Sequence, residues 1–244
     1  MMSKDAGGLL TPPAIAVDRL SLRLVQKSWR WADDCRADID AHFQALKRAR
    51  PSVWNGRVLM LHNKTIAEGT FGGEFLETDF ASFDAWRRWN RPDPSVVDCF
   101  AAVALFAADG GCLLGEMAAH TANAGLIYFP AGTPEPGDVA DGLLDFEASA
   151  WRELDEETGI ARHALAAEPG WTVVNERSRA ALIKAAHAAE PAERLRDRIL
   201  DNLAGQAQPE LADIRIVRGP DDLNDRMPPF VAAYLQHRWS HTCP

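Results

Sequence analysis

Eleven residues from Ala150 to Ile160, AWRELDEETGI, carry four carboxylates and one arginine and then stop on a glycine. In a helix of 3.6 residues per turn, Glu153, Glu156 and Glu157 stand at i, i+3 and i+4 and share one face. Like charges so placed repel by roughly 0.2–0.5 kcal/mol per pair on an exposed helix. A compensating partner is therefore expected, and a divalent cation is the natural one. Ala150, Trp151 and Leu154 supply apolar contacts on other sides, and Gly159 falls where a C-cap glycine belongs. The segment predicts a short helix that packs by its apolar side and presents its carboxylates outward.

What precedes and follows that helix sets the fold class. SVVDCFAAVALFAADGGCLLGEMA, from Ser95, reads as two strands joined by a turn at Asp109-Gly110-Gly111. AGLIYFP reads as a third strand, leading into the proline- and glycine-rich loop AGTPEPGDVADG. Beyond the acidic helix, GWTVVNERSRAALIKAA begins as strand. AERLRDRILDNLA is an amphipathic helix with Leu195, Ile199 and Leu203 at i, i+4 and i+8. LADIRIVRG is a short strand, and PPFVAAYLQHRW a closing helix begun by proline. Strands interleaved with helices point to a layered α/β or α+β domain.

Upstream, AIAVDRLSLRLV from Ala14 to Val25 reads as one strand, followed by a helical stretch that Pro51 terminates. WNGRVLMLHN and TIAEGTFGGEFLETDF read as two or three antiparallel strands, with Asn55-Gly56 and Gly72-Gly73 marking a turn or bulge. ASFDAWRRWN is a helix closed by RPDP. The expected organisation is a flexible leader over 1–13, an N-terminal α/β extension over 14–94 and a main domain over 95–244.

At 244 residues, 47% hydrophobic and 25% charged, the chain is large enough to bury a real core. Its formal net charge of −9 argues against general nucleic-acid binding, which depends on lysine and arginine neutralising phosphates. A phosphate-bearing small molecule is compatible with that charge if a metal or a local basic cluster receives it. Cys35, Cys99, Cys112 and Cys243 form no C-x-x-C pair, so free thiols in a reducing compartment are expected. No apolar run reaches the roughly 18 residues that span a bilayer, and the N-terminus lacks the apolar core of a signal peptide. Together these predict a cytoplasmic protein that engages neither membrane nor nucleic acid.

A strand ending FPAG, a loop, and then Arg152 through Ile160 form an order that resembles the Nudix hydrolase family. Its box reads G-x5-E-x7-R-E-U-x-E-E-x-G-U, with U apolar, and residues 152–160 match the second half at every specified position. The first half departs from it. Counting from Gly132 brings Asp138 to the position of the family's Glu, but the loop before Arg152 is then six residues too long. Counting back from Arg152 brings Leu144 there. The first box carboxylate is thus open among Asp138, Asp145 and Glu147.

The resemblance implies an α/β/α sandwich around a mixed sheet, here with the N-terminal α/β extension, and a pyrophosphohydrolase using Mg2+ or Mn2+. It assigns Glu156 and Glu157 as metal ligands, Glu153 as a ligand or water-orienting base, and Arg152 as a structural partner of a carboxylate. The chemistry is coherent: a hard cation with oxygen ligands neutralises phosphate charge and activates water. An additional acid outside the box is expected among Glu190, Glu193 and Glu210. Gly132, Phe129 and Glu210 are candidate substrate-binding residues, and Trp54, Trp86, Trp89 and Phe129 are rings that could stack on a base.

For the substrate, WNG at Trp54–Gly56, ETDFASFDAW and the loop after FPAGTPEP resemble the branch that hydrolyses UDP-sugars to UMP and sugar 1-phosphate. GLIYFPAG, Gly125 to Gly132, instead matches part of the coenzyme A pyrophosphatase signature, and ADP-ribose is a further alternative. A module that binds a nucleotide without cleaving it is the competing reading, favoured by the irregular first half of the box. A homodimer resting on the N-terminal unit is compatible with either. No G-x-S-x-G elbow, phosphate loop or H-E-x-x-H pair is present.

Overall fold

The computed structural model describes residues 14–51 and 53–241. The leader expected over 1–13 lies outside the described residues, as does Cys243. The chain opens with β1 (Ala14–Val17), β2 (Arg19–Leu24), α1 (Arg30–Asp34), α2 (Arg36–Ala49), β3 (Arg57–Ala67), β4 (Thr70–Asp79) and α3 (Phe80–Arg88). It continues through β5 (Asp98–Phe106), β6 (Cys112–Met117), β7 (Ile127–Tyr128), β8 (Ala131–Gly132), β9 (Val139–Ala140), β10 (Leu143–Leu144) and α4 (Phe146–Thr158). It ends with β11 (Leu165–Ala167), β12 (Trp171–Asn175), β13 (Arg179–Ala188), α5 (Ala192–Ala204), β14 (Leu211–Val217) and α6 (Pro229–His241).

Among the described residues a large sheet runs β1-β12-β13-β5-β6-β14, with β11, β8 and β7 added on β13, β5 and β6. Its central pair, β13 and β5, is parallel and buried, whereas β12, β6 and β14 pair antiparallel. One face packs Val103, Leu105 and Leu182 against Leu154 of α4 and the Leu195, Ile199 and Leu203 stripe of α5. The other packs Ala104, Leu114 and Ile183 against Val231, Tyr234 and Leu235 of α6. The result is an α/β/α sandwich around a mixed sheet, as the interleaved strands and helices predict.

A second sheet, β3-β4-β2-β10-β9, lies against the α4 side of the sandwich. Leu22, Leu61, Phe71 and Phe75 of this sheet join the core that α4 and α5 cover. Its far face packs Val58, Met60 and Leu76 against Trp29, just before α1, and against Ile39 and Phe43 of α2 and Trp86 of α3. The two sheets share the chain on both sides of position 94: β1 belongs to the large one, while β9 and β10 belong to the small one.

Three local expectations are corrected. Ala14–Val25 is not one strand: it divides at Asp18, whose amide and that of Arg19 both donate to the Gly69 carbonyl, sending β1 and β2 to different sheets. The β3-β4 turn falls at Glu68-Gly69, both at positive φ, and not at Gly72-Gly73. Those two glycines lie inside β4, where a Cβ on Gly73 would stand 2.9 Å from Leu61 and 3.0 Å from Leu22. AGLIYFP yields only the two-residue strand β7, and the next, β8, starts after Pro130, which has no N–H to give a ladder.

Candidate active site

The acidic helix begins where Asp145 accepts the Ala148 N–H at 2.9 Å, an N-cap that satisfies one of the free amides of the first turn. It ends at Gly159, in the left-handed region at φ 71°. Phe146, Ala150, Trp151 and Leu154 bury its apolar side. The opposite side is not uniformly outward, as the sequence predicts. Glu156 is 64% exposed, Glu153 19%, and Glu157 turns in and is buried. The cause is the helix's seat beside β8: the Glu153 carboxylate lies directly over Gly132, where a Cβ would come within 2.4 Å of it. Only glycine permits that approach.

Burial raises the Glu157 carboxyl well above the ordinary range, with Glu153 and Glu210 pushing the same way and the Ala131 amide opposing. Glu153 is also raised, chiefly by burial, against the pull of Arg152. One oxygen of Glu157, Oε2, is buried with no hydrogen-bond partner. A buried, unpaired carboxylate oxygen with two further carboxylates pressing on it is the chemistry of a cation site, and the residues present fit a hard divalent ion. Among the described residues no three His, Cys, Asp or Glu side chains converge on a common centre as a finished ligand cluster. Glu153 leans instead on Arg152, at 3.1 Å.

The three candidates for the first box carboxylate have different partners. Asp138, with a side chain only 1% exposed, receives Arg152 Nη1 at 2.8 Å and the Glu135 N–H at 3.0 Å. Asp145 is the helix cap, and Glu147 faces Arg162 at 3.1 Å. The six additional residues are 139–144, the β9-β10 hairpin, with Asp141 and Gly142 both at positive φ as its tip. The hairpin docks on β2, Leu143 opposite Arg23, and the Leu24 N–H donates to the Gly142 carbonyl at 2.9 Å. The Asp145 N–H donates to the Asp138 carbonyl at 2.9 Å, closing the loop at its base. On its other flank the Leu59 N–H donates to Pro134 at 2.8 Å. The box loop is bonded to the small sheet on both sides.

Of the outside acids, Glu210 alone adds to the charge on Glu157, while Glu190 pairs with Arg198 at 2.8 Å and Glu193 with Arg218 at 2.7 Å. Phe129 is fully buried among Phe230 and Tyr234, so its ring belongs to the core and offers no face to a base. Trp86 is likewise fully buried, whereas Trp89 and Trp54 are exposed. Beside Gly132 opens a cavity of ≈ 350 Å³ lined by Phe83, Arg87, Phe100, Tyr128 and Phe230 among others. Sequence reading missed this cavity, since its walls come from α3, β5, the stretch 123–133, β13 and the start of α6, which share no motif.

No family model matches the chain, and no curated protein matches it. Several solved structures are similar to it. A Nudix hydrolase from M. Smegmatis, RenU, is 20% identical over 60% of this chain and 86% of that one, at a TM-score of 0.37. A MutT protein from Methanosarcina mazei Go1 is 14% identical over 60% of this chain and 96% of that one, also at 0.37. A bifunctional NMN adenylyltransferase/ADP ribose pyrophosphatase from Francisella tularensis is 15% identical over 65% of this chain and 45% of that one, at 0.40.

Proposed function

We propose that this chain, whose box resembles that of Nudix hydrolases, is a metal-dependent pyrophosphohydrolase. It cleaves the pyrophosphate bond of a nucleoside diphosphate linked to another moiety. Its substrate in this reading is a UDP-sugar, which with water gives UMP and sugar 1-phosphate. The observation that carries the proposal is the buried, unpartnered Glu157 oxygen beside Glu153 at the glycine floor.

Glu153, Glu156 and Glu157 would hold Mg2+ or Mn2+, which when bound supplies neutralisation of phosphate charge and activation of water. Glu157 accepts from the Ala131 amide, and its Oε2 is buried without a hydrogen-bond partner, free in this reading for the ion. Arg152, itself held by Asp138, fixes the Glu153 carboxylate over Gly132. Glu153 is then positioned to receive a proton from the attacking water, and its raised pKa suits that task. Glu210 adds negative charge beside Glu157 and is the candidate for the acid outside the box. In this reading residues 95–244 carry the chemistry, residues 14–94 brace the box loop, and the protein works in the cytoplasm with free thiols.

The test is phosphate release, coupled to a phosphatase, from UDP-glucose, UDP-galactose, ADP-ribose, NADH, coenzyme A and nucleoside triphosphates, with and without Mg2+ or Mn2+. Metal-dependent release that Glu157→Gln abolishes is the expected result. The second reading, a nucleotide-binding module without turnover, draws on the carboxylates that do not converge. Tight binding with no release from any compound would favour it.

A further inference from the structure

The cavity beside Gly132 has a polar edge with an uneven supply of hydrogen-bonding groups. Arg87, in the last turn of α3, makes no ion pair among the described residues. Its neighbour Arg88 is satisfied by Asp84 at 2.9 Å, and Arg179 across the cavity faces Asp98 at 3.5 Å. Arg87 instead lies over the Phe83 ring, 5.6 Å from its centroid, and donates from Nη1 to Asn123 Oδ1 at 3.3 Å. A guanidinium has five N–H donors and no acceptor, so most of its donors remain for a ligand.

The bond from Arg87 fixes more than itself. With Asn123 Oδ1 accepting, the amide Nδ2 donates to the Tyr128 hydroxyl at 3.0 Å. That hydroxyl, accepting from Asn123, has its own proton to donate. Burial raises the Tyr128 hydroxyl to about 12, so the proton is retained at neutral pH. The chain Arg87 to Asn123 to Tyr128 therefore leaves the remaining Arg87 N–H groups and the Tyr128 O–H as donors on this edge of the cavity. Asp225 stands at the rim and is exposed, and it is the acidic counterpart that a competing ligand would use. Phe83, Phe100 and Phe230 give the apolar walls that a planar ring needs.

We propose that this cavity holds the base of the nucleoside diphosphate, and that Arg87 and Tyr128 select a carbonyl-edged base, uracil, over an amino-edged one, cytosine or adenine. The inference rests on the pyrophosphohydrolase reading for the diphosphate itself; Gly132, beside Glu153, also lines this cavity. Specificity would then come from Arg87 of α3, outside the sandwich that carries the box, together with Tyr128 of β7 within it. Donors that a bound base covers and leaves without acceptors penalise the wrong base more than a matched contact rewards the right one.

The experiment is calorimetric binding of UMP and of CMP to the full chain in EDTA, so that neither metal nor turnover enters. UMP is expected to bind at least roughly tenfold more tightly than CMP. Arg87→Met, which keeps the stem over Phe83 but removes the donors, should bring the two within about threefold, and Tyr128→Phe should narrow the ratio in the same direction. Circular dichroism melts of both variants show whether they fold, and Arg87→Lys, which keeps a donor, should retain part of the preference. CMP binding as tightly as UMP, no binding of either nucleotide, or an unchanged ratio in folded Arg87→Met would overturn the proposal. A uracil preference without any hydrolysis would instead sink the pyrophosphohydrolase reading and leave this one standing; metal-dependent hydrolysis without the preference does the reverse.

Discussion

Asp138 and Arg152 show what one side chain can decide. Asp138 is buried, and Arg152 is the cation that balances it. Removing one member of a fully buried pair costs about 3–5 kcal/mol, and since the Arg152 side chain is 39% exposed, Arg152→Ala should cost less, about 2 kcal/mol. Urea unfolding measures it, and a loss below about 0.5 kcal/mol would deny the pair a structural role. Glu157 has the opposite sign. Its burial without a full set of partners destabilises the metal-free protein, so Glu157→Gln should raise the melting midpoint in EDTA at neutral pH while abolishing turnover. A lower midpoint would mean that the carboxylate is better satisfied than its orphaned oxygen indicates. The second half of the box was legible in sequence because each of its residues has a fixed helical position. Asp138 was not separable from Asp145 and Glu147, since nothing in one dimension shows which carboxylate turns back to meet an arginine 14 positions on.

At the scale of elements, the β9-β10 hairpin occupies the six residues by which the stretch from Gly132 to Arg152 exceeds the spacing of the box it resembles. The turn signal Asp141-Gly142 was present in the sequence, but the flanking strands are two residues each and have no alternation to read. Their partner β2 lies more than a hundred residues upstream, which no local pattern reports. The helices, by contrast, were legible from their apolar stripes and caps, and α4 and α5 stand where those signals place them. Excising 139–144 joins Asp138 to Asp145, whose backbones are already hydrogen-bonded. The shortened chain should fold, while the Leu24 amide, deprived of the Gly142 carbonyl, should exchange with solvent faster. Unchanged protection of Leu24 would show that the hairpin does not brace the small sheet.

Across the whole molecule, α6 is tied to the sheet edge by Glu168, which receives Arg238 Nη1 at 2.7 Å and lies 2.6 Å from His187 Nε2. Arg238, and less strongly His187, hold the Glu168 carboxyl down at about 2, against burial, from an ordinary 4.5. A lowered folded value means that the native state binds fewer protons than the unfolded one. The stability it lends is complete above 4.5 and is lost as pH falls toward 2. The midpoint of Glu168→Gln should therefore fall less than that of the parent chain as the pH is lowered from about 6 to about 3. Parallel curves would show that the pair lends no stability.

The chain's two sheets also close in different orders. β2 finds its parallel partner β4 within some fifty residues, but β1, directly before it, pairs only with Trp171–Asn175. The left-handed Gly170 stands at that junction, where a Cβ would meet the Val17 carbonyl at 2.7 Å. On a ribosome adding roughly 5–20 residues per second, the first strand waits about 8–30 s for its mate to be synthesised. During that time the small sheet can already be assembling beside it. The pairing of β1 with β12 thus joins residues more than 150 positions apart, and the nascent chain must keep β1 free for a partner that does not yet exist.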